Sequence, residues 1–120
     1  DRMVPYLERS LSILNTWLIY LDSNVCNRND DRHADKLNQI LHGLICAEEQ
    51  MAAITMIRNQ FDTSEEHCQR CLAYSRRFGI EGEVKTTFIF GALNMYCNLR
   101  EYQGDFSKAV IFAEDCYNLV

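Results

Sequence analysis

The chain has 120 residues, 48% hydrophobic and 11% aromatic, which is enough material for one packed domain. One Pro, five Gly and 24% charged residues exclude a collagen-like or disordered polymer. No apolar run reads as the roughly 18 residues of a spanning helix, so a soluble chain without a membrane partner is expected. With 17 acids against 12 bases, the net charge of -5 argues against nucleic acid as a partner and favours neutral or basic peptides.

A first helix is predicted from about Pro5 to Leu21. Proline suits a first turn, and Leu7, Leu11, Leu14, Leu18 and Leu21 form one stripe with Trp17 beside it. Asp22 to Arg32 is rich in Asp, Asn and Arg and reads as a solvated loop. From His33 to Gln60 a long helical pattern runs through Leu37, Ile40, Leu41, Leu44, Ile45, Met51, Ile54 and Ile57. Gly43 costs it about 1 kcal/mol relative to Ala, so it marks close approach of a neighbour rather than a break. Asp62 offers an N-cap oxygen, with Glu65 three residues on, to open a helix that ends at Phe78 with Gly79 as its C-cap. Glu83 to Gln103 forms the fourth helix, Gly104 and Asp105 turn the chain, and a fifth helix begins at Phe106.

Shifting the sequence by 45 positions lays Phe61 on Phe106, Ser64 on Ala109, Cys68 on Ala113, Cys71 on Cys116 and Leu72 on Tyr117. Upstream, Cys46 meets Gly91, Ala47 meets Ala92 and Ala52 meets Cys97. Asn59 meets Gly104, both residues that tolerate left-handed backbone, so the two are expected to turn the chain alike. Such self-similarity indicates a stack of helical hairpins, an architecture that binds partners more than it catalyses.

The spacing of Phe61, Ser64, Cys68 and Cys71, repeated by Phe106, Ala109, Ala113 and Cys116, resembles the second helix of a tetratricopeptide repeat. Gly104-Asp105-Phe106-Ser107-Lys108-Ala109 is similar to that family's G-x-[YF]-x-x-A turn. The long period resembles kinesin light chains and the Pins/LGN class of adaptors. Asn94, Leu99 and Gln103-Gly104 are similar to the former. Phe61-Asp62, Cys68-Gln69-Arg70, Leu72, Ser75-Arg76 and Gly82-Glu83 are similar to the latter. Asn59 and Ser64 depart from the family's usual Gly and Ala, and the first linker keeps only Asp30-Asp31-Arg32-His33 of the kinesin-light-chain signature.

The resemblance implies an all-α fold, a right-handed superhelix of antiparallel helix hairpins. Residues 1–120 would form a single domain: 1–21 a partial preceding repeat, 34–79 and 83–120 two fuller ones. Because the chain opens on Asp1, a piece of a longer array is expected. Family geometry lines a concave groove with Glu49, Ala53 and Met56 from one repeat and Asn94, Asn98 and Glu101 from the next. Asn94 and Asn98, four apart, share a helix face where carboxamides can hold an extended peptide's backbone. Glu49 and Glu101 would favour Lys or Arg on it. Tyr96, Tyr102, Phe88 and Phe90 read as core between repeats.

Catalytic chemistry finds little support. His67, Cys68 and Cys71 invite a thiol or zinc site, but a structural zinc needs four ligands and no second C-x-x-C exists. His67 and Cys68, adjacent, point about 100° apart around a helix. Cys46, Cys68, Cys71, Cys97 and Cys116 fall in helical patterns, and together with Cys26 they read as reduced thiols of a cytoplasmic protein. Glu48 with Glu49, and Glu65 with Glu66, read as neighbours on a solvated face, and Arg76 and Arg77 as complements of a helix C-terminus. The reading is therefore a peptide-binding scaffold without cofactor or metal. The alternatives are a self-associating helical bundle and, third, a thiol or zinc enzyme.

Overall fold

Leucines at helical spacing from Leu7 to Leu21 make the first helix, α1 (Met3–Asp22), which buries Leu7, Leu11, Leu18 and Leu21 on one side. The computed structural model describes residues 3–23, 31–79 and 82–118, the side chains of Asp31, Cys116 and Tyr117 excepted. Most of the expected first linker lies outside the described residues. The Nε2–H of His33 closes α1 by donating to the Leu21 carbonyl at 2.8 Å, satisfying an acceptor that the last helical turn leaves open.

The long helix α2 (Asp31–Ile57) runs unbroken through Gly43, where a Cβ would stand 3.0 Å from Leu14 of α1. The glycine thus marks a close approach, as its sequence context predicts. By length and composition α2 is apolar enough to cross a membrane over Arg32–Ile57, contrary to the sequence expectation. Half of its most apolar 18-residue window is buried, and its apolar content faces three neighbours: α1, the following helix α3 (Phe61–Arg77) and α4 (Glu83–Tyr102). The last helix, α5 (Phe106–Asn118), packs on α4.

Asn59 and Gly104 both adopt left-handed backbone, at φ 61° and 77°. Around them the hydrogen bonds are copies. The amides of Asn59 and Gln60 donate to Met56 and Thr55 at 3.0 and 2.8 Å; those of Gly104 and Asp105 donate to Glu101 and Arg100 at 3.0 and 2.8 Å. At these two turns the 45-residue offset of the sequence is matched in the backbone hydrogen bonds. The helix ends differ from expectation in two places. Gln60, not Asp62, occupies the N-cap of α3 and makes no side-chain cap, whereas its equivalent Asp105 accepts the Lys108 amide at 3.2 Å. At the other end Phe78 is the C-cap, turned extended so that its ring is buried edge-on to Phe88 at 5.1 Å; Gly79 donates its amide to Asn38 at 3.0 Å.

Each helix packs on its neighbours in sequence, with α2 also touching α4. No strand occurs among the described residues. The shortest dimension, 20 Å of 47 × 36 × 20 Å, is two helix diameters. The core follows this order. One cluster joins α1 to α2 through Leu7, Leu11, Leu18, Leu41 and Leu44, and another joins Ala52, Met56 and Cys68 to Tyr96 and Leu99 of α4.

Candidate functional site

The six residues expected to line a groove fall on α2 and α4 at equivalent positions of the two copies. The two helices touch closely: a Cβ on Gly91 would come 2.8 Å from the Glu49 carboxylate. Burial raises the Glu49 pKa above the ordinary carboxylate value. Ala53 and Asn98 are half-buried, while Asn94 and Glu101 are exposed. Met56 lies in the core at 3% exposure, against the cluster that contains Tyr96 and Leu99. Glu101 accepts a 3.8 Å contact from the Cys97 thiol one turn earlier. Burial, then Glu101, raises the Cys97 pKa. Of the aromatic residues, Tyr96 is core and stacks on Phe112 at 4.8 Å, whereas Phe90 and Tyr102 are exposed, 42% and 56%.

Glu48 does not lie on a solvated face. At 1% exposure its carboxylate accepts from His67 Nδ1–H at 2.6 Å and Arg70 Nε–H at 3.1 Å, both from α3. The reason is helical spacing: Glu48 is four residues from Leu44 and three from Ile45, on the stripe that α3 covers. At the 45-residue offset its equivalent is Leu93, a buried apolar residue of α4, and that correspondence is the signal the sequence offers. Glu65 is likewise paired, with Arg100 of α4, an ion pair that ties α3 to the next hairpin.

Cys68 and Cys71 are fully buried, and burial pushes both thiols up to about 12. Cys46, Cys68, Cys71 and Cys97 are free thiols; the side chains of Cys26 and Cys116 lie outside the described residues. Among the described residues no three His, Cys, Asp or Glu side chains come together as metal ligands. His67 spends its Nδ1 on Glu48, and Cys71 points its thiol at the Ile45 carbonyl, 3.8 Å away.

Sequence reasoning did not find a cleft of about 620 Å³ between the C-terminal half of α1 and the start of α2. Ile13, Trp17 and Tyr20 stand half exposed along its α1 wall, Trp17 edge-on to Tyr20 at 6.1 Å. Lys36, Gln39 and Ile40 form much of the other. Leucine spacing explains the burial of α1 but says nothing of the side it leaves uncovered. No family model, curated protein or solved structure matches the chain.

Proposed function

We propose that the chain is a non-catalytic interaction scaffold that holds a peptide segment of a partner protein on the face shared by α2 and α4. In this reading α1 to α5 are about two and a half tetratricopeptide-like repeats, stacked as a right-handed superhelix in a reducing, cytoplasmic setting. The observation that carries it is the pair of turns at Asn59 and Gly104, whose backbone hydrogen bonds repeat at the 45-residue offset. Two copies of one hairpin, each packed on its neighbour, generate a surface of equivalent positions along first helices. There Glu49 and Ala53 recur as Asn94 and Asn98. The two carboxamides can pair with an extended backbone, and Glu49 and Glu101 favour cationic side chains on it. Replacing Asn94 and Asn98 by Ala is expected to weaken a Lys- and Arg-bearing extended peptide at least tenfold while the far-ultraviolet circular dichroism stays unchanged. Undiminished binding by the double variant rejects the site.

Self-association is the second reading, favoured by large apolar side chains at both ends of the helix order. Tyr6, Ile13 and Ile19 on α1, and Phe106, Val110 and Ile111 on α5, are all at least half exposed. Sedimentation velocity separates the two: a tight dimer at low micromolar concentration supports self-association, and a monomer supports the scaffold.

A further inference from the structure

We infer that the Glu49 carboxylate, lying on α4 at Gly91, is a seat for a primary ammonium, and that the segment held on the α2/α4 face presents a lysine there rather than an arginine. The inference rests on the peptide-binding reading of that face and deepens it, by assigning the charge selection to one position at the seam of the two helices.

Gly91 supplies the room. A Cβ there would stand 2.8 Å from Glu49 Oε1, so the bare backbone of α4 is what lets the carboxylate lie between the helices. Both residues lie well inside their helices, on the sides that α2 and α4 turn towards each other. Beneath them the seam is apolar. Glu49 follows Ile45 by one turn, Gly91 precedes Ala92, and Ile45 and Ala92 form one buried cluster with Cys71 of α3. Over that floor the carboxylate is half-buried. Burial alone raises its pKa, and among the described residues no donor or cation offsets it. Glu48, beside it in sequence, shows the contrast: it is buried deeper and holds two donors from α3. A carboxylate partly withdrawn from water without a counter-charge gains one only from outside the fold, and the apolar floor strengthens that attraction. With Oε1 turned on to Gly91, a ligand meets the remaining oxygen. An ammonium needs one such acceptor, whereas a guanidinium fork is matched by two in parallel. The equivalent position of the next copy is the uncharged Asn94, and Glu101 is exposed, where solvent screens its charge. Charge selection therefore falls on Glu49.

The probes are Nα-acetyl-lysine methylamide, its arginine counterpart and its Nε-acetylated twin, which keeps the stem and loses the charge. On the intact chain with isotope-labelled glutamates, carboxyl NMR resonances are followed as each probe is added. The lysine probe is expected to move the Glu49 resonance saturably and to bind at least fivefold tighter than the arginine probe, and the neutral twin should leave it in place. Because a bound cation favours the charged carboxylate, the pH midpoint of Glu49 should fall when the lysine probe is present. Gly91→Ala, which fills the space under the carboxylate, should abolish the response while circular dichroism stays unchanged. Absence of saturation, equal affinity for arginine, an equal response at Glu101, or indifference to Gly91→Ala overturns the inference. An extended peptide with a single lysine and its arginine twin then separate this inference from the reading it rests on. The lysine peptide should bind at least fivefold tighter, and Glu49→Gln should erase the difference. If both peptides bind alike and the Asn94 and Asn98 double variant weakens them, the face stands and the lysine seat falls. If the lysine probe moves Glu49 but the double variant binds the lysine peptide as the parent does, the seat stands and the carboxamide site falls.

Discussion

A buried carboxylate is costly to desolvate, and Glu48 is held by two donors from α3 on one side of a hairpin whose copy solves the same position with Leu93. The partner position repeats the lesson, since His67 corresponds to Phe112. Glu48→Ala is expected to cost about 3 kcal/mol in urea unfolding, because it strands His67 and opens a cavity. The double change Glu48→Leu with His67→Phe, which imports the second copy's solution, should return stability to within about 1 kcal/mol of the parent. A double variant as unstable as the single one shows that the polar cluster specifies this hairpin's packing. The thiols follow a similar logic. Burial raises Cys68 and Cys71 from an ordinary 9.0 to about 12, so the unfolded chain loses these protons at lower pH than the folded one. Stability is accordingly full below pH 9 and falls as pH climbs towards about 12. Cys68→Ala, the residue found at the equivalent Ala113, should flatten part of that alkaline decline in a pH series of thermal unfolding. At pH 8, mapping of alkylated cysteines should find exposed Cys46 labelled in the native chain while Cys68 and Cys71 stay protected.

Helix identity and order were legible, because apolar spacing of three and four residues persists through every described element and the punctuation falls at Asn59 and Gly104. The caps were read less well. The pattern Asp62 to Glu65 fits a capping box in letters, but the turn fixes the cap one residue before Phe61, and Glu65 pairs with Arg100 instead. The two left-handed residues are not equivalent under substitution. Gly104→Ala places a Cβ at φ 77° and is expected to cost about 1–2 kcal/mol, whereas Asn59→Gly relieves a side chain at φ 61° and should be neutral or slightly stabilising. The helical glycines divide for a different reason. A Cβ on Gly91 meets the end of the flexible Glu49 side chain, which can swing aside, so Gly91→Ala should gain up to about 1 kcal/mol of helix propensity. At Gly43 the neighbour is Leu14, packed against the α1/α2 core, and repacking it offsets the same gain. Denaturant midpoints of the two variants should therefore separate, with Gly91→Ala the higher.

The periodicity that reveals a helix's buried side does not say which of its other sides a partner uses. Asn94 and Glu101 are exposed and Met56 is not, although all three follow one rule of positions. What the molecule as a whole adds is the order of packing. Interior helices α2, α3 and α4 each have at least two neighbours, and α1 and α5 have one chain neighbour apiece. Beyond its packing on α2, α1 is tied to α3 by the Tyr74 hydroxyl, which donates to Asn15 at 3.0 Å. In a linear succession, stability is a sum of units and their shared surfaces, so an end unit opens without the rest. Native-state hydrogen exchange should then find the amides of α2 and α3 slowest and those of α1 and α5 at least tenfold faster. Tyr74→Phe, which deletes one hydrogen bond worth about 1 kcal/mol, should speed α1 several-fold and leave α5 untouched. Five helices wrapped on one common core would behave otherwise: all would exchange through a single global opening, and Tyr74→Phe would accelerate α5 as much as α1.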